Sequence, residues 1–197
     1  MPGSRTSMCR RQSFRLWFFL AAALMGVLPP QSALAQKSVT TQSIDPFGQE
    51  TKLAARPILY VAGSGTWDKA YDTLTEAFKK VSAYMSSIGL KAAGPAMTIY
   101  TATDDTGFDF KAAIPLTEPP KTPPAQDVKV CQSPEGRALK FVHRGTYDEL
   151  NQTYEAITNY LDEKGLDAQD VLIEEYLPEL GTTPDSKLVV NVFVPLK

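Results

Sequence analysis

A four-residue string that returns eighty places later constrains this chain more than any other feature. Gly65-Thr66-Trp67-Asp68 comes back as Gly145-Thr146-Tyr147-Asp148, an offset of 80. Gly89-Leu90 matches Gly165-Leu166 and Tyr100 matches Tyr176 at an offset of 76, and Ile114-Pro115-Leu116 then matches Val194-Pro195-Leu196 at 80 again. Self-similarity at a long period implies one supersecondary unit used twice. The drop and return of the offset predict a second helix shorter by about one turn and a correspondingly longer hairpin loop after it.

Both copies follow one pattern. Residues 57–62 and 138–143 are rich in branched and aromatic side chains, as strands are. Helical spacing follows: Trp67, Ala70, Tyr71, Leu74, Phe78, Val81, Met85 and Ile88 recur every three or four places, and Tyr147, Leu150, Tyr154, Ile157 and Leu161 do the same. Thr146 and Glu149 form a capping-box pair, and Gly89 and Gly165 stop the helices in the left-handed conformation that glycine adopts freely. Strands over 96–103 and 108–115, and again over 171–177 and 188–195, are joined by turn-rich residues 104–107 and 181–185. The expected fold is α+β, built from tandem duplicated β-α-β-β units with a mostly antiparallel sheet and one long helix per unit. The first unit covers about 57–116 and the second about 127–197. Residues 117–126 hold four prolines and form a stiff connector, and 36–56 is a lead-in that either runs loose or supplies an edge strand. Two such units side by side leave a cleft on a pseudo-two-fold axis, a favoured place for a ligand.

The first 35 residues carry Arg5, Arg10, Arg11 and Arg15, no acid, then an apolar run from 16 to 28, Pro29-Pro30, and Ala33-Leu34-Ala35. That is the pattern of a signal peptide cleaved after Ala35, and it places the remainder in the periplasm by the Sec route, with the twin-arginine route open. The run is too short for a spanning helix of ~20 residues, so no anchor is expected after cleavage. Of 20 basic and 22 acidic residues, the remainder keeps 16 and 22, a net charge of −6. An acidic body lacks the footprint of a nucleic-acid partner. With Cys9 lost, Cys131 has no disulfide partner, so the packed core must hold the domain. One histidine, His143, and one cysteine give no metal or cofactor spacing. Nothing in the composition signals a dimer, and a monomer is expected.

Strand alternation puts Glu174 on one face with Leu172 and Tyr176, an acid between apolar neighbours, and Thr98 and Tyr100 hold the matching places in the first copy. Glu174 is therefore either the one-sided polar anchor of the cleft or a solvated strand-end acid. Trp67 and Tyr147, in matched first turns, either cover the cleft or begin the helix cores. Phe110, with Phe108 on the same strand, is a further lining candidate. Ligand-binding candidates are thus Glu174, Tyr176, Tyr147, Trp67, Tyr100 and Phe110. Were the protein an enzyme, a hydrolase acting on a small hydrophobic substrate, Glu174 would be its general acid/base. A third reading is a structural protein whose seam Tyr147 and Tyr176 fill.

Taken together, Val142 through Leu150, then Gly165-Leu166, Glu174-Glu175-Tyr176-Leu177 and Val194-Pro195-Leu196 resemble the GyrI-like effector-binding domain. Such domains are the ligand-sensing parts of AraC-type and MerR-type activators and also occur alone. The resemblance runs from about Pro57 to the C-terminus. It implies a cleft for amphipathic, often cationic, small molecules, with a late-strand carboxylate at the place of Glu174 as anchor. It also implies, in hydrolase-like members, the same glutamate working with an aromatic partner, here Tyr147 or Tyr176. Thr146 stands where the family usually has proline, and no helix-turn-helix precedes the domain. Haem-binding SOUL-like relatives share this fold, but the sequence offers no axial ligand.

Overall fold

The structure is a computed structural model that describes residues 47–124, 127–177, 180–181 and 184–197. The leader, its cleavage site and the lead-in up to residue 46 lie outside the described residues, as do parts of the connector and of the 181–185 turn. The strands are β1 (Gln49–Leu53), β2 (Pro57–Thr66), β3 (Met97–Thr103), β4 (Gly107–Pro115), β5 (Val128–Gln132), β6 (Gly136–Gly145), β7 (Leu172–Tyr176) and β8 (Leu188–Pro195). Helix α1 (Ala70–Ser87) lies between β2 and β3, and α2 (Leu150–Lys164) between β6 and β7.

Local chemistry sets these boundaries. The spacing predicts a helix from Trp67, but Trp67–Lys69 is a 3-10 turn and α1 starts at Ala70. The indole N–H of Trp67 donates to the carbonyl of Asp104 at 2.8 Å, which ties this turn to the β3–β4 hairpin. In that hairpin the Asp104 carboxylate accepts from the backbone N–H groups of Thr106 and Gly107 at 2.7 and 2.9 Å. At α2 only half of the capping box forms: Glu149 Oε2 accepts the Thr146 N–H at 2.8 Å, while no side-chain cap bond reaches into the helix. Gly165, at φ 61°, caps its C-terminus in the left-handed conformation.

All strand pairs are antiparallel, in one open eight-stranded sheet of order β1-β6-β8-β7-β3-β4-β2-β5. The middle seam is β3 against β7. β5, which the sequence assigns to the second unit, pairs with β2, and β1 of the lead-in pairs with β6, so each outer strand crosses to the other half. Following the register from β5 to β6 gives one row of facing residues: Val128, Val61, Ala112, Thr98, Glu174, Val192 and Phe141. This row lies on the face covered by the helices, where α1 adds Leu74, Phe78 and Val81 and α2 adds Leu150 and Ile157 to the main core. Each such side chain contributes ~1.5–3 kcal/mol by leaving water. A smaller cluster of Ile58, Met97, Ile99, Ala113 and Ile173 occupies the opposite face. The apolar row is broken only at the seam, by Thr98 and Glu174.

Candidate functional site

Period-two alternation sends the neighbours Glu174 and Glu175 to opposite faces. Glu175 meets Arg56 at 2.7 Å and accepts from Asn191 at 3.3 Å. Glu174 is 1% exposed, and no ion pair among the described residues neutralises it. Its partners are tyrosine hydroxyls. Tyr100 donates to Oε2 at 3.0 Å, Tyr176 donates to the same oxygen at 2.5 Å, and Tyr154, from α2, donates to Oε1. Since the Tyr176 proton is given to Glu174, the Thr98 hydroxyl, 2.9 Å away, donates to the Tyr176 oxygen.

Aromatic rings enclose this cluster. Tyr147 is hydrogen-bonded to Tyr100, and its ring meets Tyr71 of α1 edge-on at 5.4 Å. Phe78 packs against Tyr176 at 5.6 Å, and Trp67 lies 6.2 Å from Tyr100 and 4.7 Å from Phe108. The consequence for acidity follows. Burial pushes the Glu174 carboxyl above its ordinary range, against the downward pull of its bonds to Tyr154, Tyr176 and Tyr100. Tyr100, Tyr154 and Tyr176 are raised well above theirs, first by burial and then by the Glu174 charge. Tyr147 is raised by the same two causes.

The sequence anticipates an open cleft at the seam, but the tyrosines close over Glu174. Tyr176 and Tyr100 are buried and Tyr147 is half-buried. Cavities flank the cluster instead. One of about 520 Å³ lies between α2 and the ends of β3 and β7, reaching Tyr100, Tyr154, Ile157, Leu161 and Leu172. Another of about 270 Å³ reaches Tyr176 from the α1 side, past Met85, Leu90 and Ala96.

Of the six binding candidates, Glu174, Tyr176, Tyr100 and Tyr147 come together, and Trp67, 43% exposed, stacks on their outer side. Phe110 is buried one ring further out, against Phe108 at 5.5 Å. Tyr154 is the participant that sequence reasoning assigned only to the helix core. Its place one turn before Ile157 gave no hint that its hydroxyl reaches across to β7. His143 is buried, with Nδ1 2.8 Å from the Thr153 hydroxyl and Nε2 2.9 Å from the Thr146 carbonyl, so it fastens α2 to β6. Among the described residues, no group of three or more His, Cys, Asp or Glu is placed to hold a metal, and no helix is long and apolar enough to cross a membrane.

Residues 49–197 match the family model of the GyrI-like small molecule binding domain. The chain belongs to this GyrI-like family. A search of curated protein sequences finds no match. Among solved structures it is similar to EcmrR in a complex with DNA, with a TM-score of 0.65 and 13% identity over 76% of this chain; it spans 57% of that one. It is similar to SAV2435 bound to tetraphenylphosphonium, with a TM-score of 0.54 and 14% identity over 76% of this chain and 93% of that one. A hydrolase from Listeria innocua gives a TM-score of 0.52 and 15% identity over 77% of this chain and 92% of that one. At these identities the likeness to the solved structures is one of fold.

Proposed function

We propose that this GyrI-like domain is an exported receptor for small amphipathic organic cations, which it holds at the β3–β7 seam with Glu174 as the polar anchor. The observation that carries this reading is a buried carboxylate with aromatic walls and, among the described residues, no ion pair to neutralise it. Such a carboxylate gains most from a cation that brings its own apolar surface, because the charge is neutralised without readmitting water. The tyrosine hydroxyls stand in for that cation when the site is closed. The tetraphenylphosphonium bound by the similar SAV2435 is an ion of this kind. The arginine-rich leader pattern, with cleavage expected after Ala35, supports a periplasmic location. The recurring strings and a strand order that mirrors itself about the seam support a duplicated unit and a pseudo-two-fold axis.

Titration with tetraphenylphosphonium, followed by Trp67 fluorescence, tests the reading. Saturable binding is expected, weakened about tenfold or more in Glu174→Gln, since that change removes a desolvated charge pair. Affinity should also rise with pH, because the raised carboxyl must release its proton to meet a cation. No saturable signal, or equal affinity in Glu174→Gln, would overturn the proposal.

A hydrolase is the second reading, favoured by the same raised carboxyl beside Tyr147. In it Glu174 works as general acid/base, and Glu174→Gln abolishes turnover while substrate affinity persists.

A further inference from the structure

The β3–β7 seam ends before its strands do. Pairing stops at Tyr100 with Leu172, next to a β-bulge between Tyr100 and Ala102, and β3 continues to Thr103 paired with β4. Before β7, Ala168 pairs instead with Leu196, just past β8. The cavity of about 520 Å³ lies where these two chains part, with α2 as its roof. Bulges are common beside binding sites because they re-aim the side chains around them.

The two cavities that flank Glu174 occupy matching places in the recurring sequence. At the offset of 76 that links Tyr176 to Tyr100, Thr158, Leu161 and Leu172 of the larger answer to Ser82, Met85 and Ala96 of the smaller. They are not equivalent. The α2-side cavity has nearly twice the volume, about 520 against 270 Å³. It touches two of the donors to Glu174, Tyr100 and Tyr154, whereas the smaller touches Tyr176. Its lining holds one acid, Asp170, and no basic side chain, and the place of Asp170 is taken by Gly94 in the smaller. The roofs differ as well. Six buried side chains fasten α1, but only Leu150 and Ile157 do so in α2, which makes α2 and its Tyr154 hydroxyl the easier to displace.

Resting on the cation reading above, we infer that the ligand is a one-armed cation whose single bulky aromatic arm fills the α2-side cavity. Its charged head takes the place of the Tyr154 hydroxyl at Glu174 Oε1, and the arm lies against Ile157, Leu161 and Leu172. The geometry is one-sided because room, acid and the movable donor all fall on the same flank. The head is chosen by charge and the arm by apolar area, so the two contributions separate.

Calorimetric titration of the full chain with benzyl-, naphthylmethyl- and anthracenylmethyl-trimethylammonium tests this, since the head is constant and the arm grows. Affinity should rise about threefold or more with each added ring. Thr158→Trp, which fills the α2-side cavity from an exposed helix position, should abolish that gain and weaken the anthracenylmethyl compound about tenfold or more. Ser86→Trp, which fills the smaller cavity, should leave the series unchanged. Glu174→Gln should weaken every member by a similar factor. Methyl NMR shifts at Ile157, Leu161 and Leu172 should grow with the arm, while those at Met85 and Ile114 stay constant. A series of equal affinities, a gain lost in Ser86→Trp but kept in Thr158→Trp, or shifts confined to Met85 and Ile114 would overturn this inference while Glu174-dependent binding stood. No saturable binding of any member would overturn both it and the cation reading.

Discussion

On β7, two adjacent glutamates meet two different environments. On one face Glu175 is held by Arg56 and Asn191, a partly exposed pair of the ordinary kind. On the other Glu174 is sealed beneath α1 and α2, with tyrosine hydroxyls as its only described hydrogen-bond donors. The difference teaches that an acid can be buried in two ways. A fixed counter-charge makes it structural, whereas dipoles alone leave its charge available to a ligand, at a cost in stability that a ligand can offset.

The largest effect expected on this comparison comes from the packing that seals the Glu174 face. Phe78→Ala removes the ring beneath Tyr176 and should cost ~3–5 kcal/mol in urea denaturation. Phe193→Ala, on the opposite and more open face, should cost clearly less. An equal loss would mean that the helices do not seal the site.

Next in size is the stability of Glu174→Gln. The folded-state pKa of Glu174 lies above its unfolded value, so the folded chain binds the extra proton. Stability from this group is complete below the unfolded pKa, ~4.3, and is lost as pH rises through the folded one. The variant should therefore be more stable than the parent near pH 7, by ~1–3 kcal/mol, with the advantage vanishing toward pH 4. Thermal unfolding across that range measures it, and a parent that gains stability from pH 5 to 7 relative to the variant would break the comparison.

Removing single donors sharpens it further. Tyr100→Phe, Tyr154→Phe and Tyr176→Phe should each cost ~0.5–1.5 kcal/mol and push the Glu174 carboxyl higher still, as carboxylate NMR shifts would record. Smallest of all should be Glu175→Gln, at most ~1 kcal/mol, because its Arg56 partner is 38% exposed.

Much of this was legible in the chain. The spacing of Leu74, Phe78 and Val81 fixed the buried stripe of α1, and glycines at 89 and 165 marked both helix ends. Alternation along Leu172 to Tyr176 put Glu174 and Tyr176 on one face, where they are found. The pairing of β5 with β2 and of β1 with β6 was not legible, because alternation fixes which face a residue takes but not which neighbour its strand chooses. The closed seam was missed for a related reason. Tyr154 reads as one more core position at helical spacing, and only the angle at which α2 lies over β7 sends its hydroxyl to Glu174.

What the sequence determined by itself is the set of local preferences: strands, helices, their ends, and the placing of one acid on an otherwise apolar face. These depend on residues a few positions apart. Tertiary structure alone decided that the acid would be met by hydroxyl groups from β3, β7 and α2. That outcome depends on the approach of elements far apart in the chain, such as Tyr100 and Glu174, which no local spacing encodes.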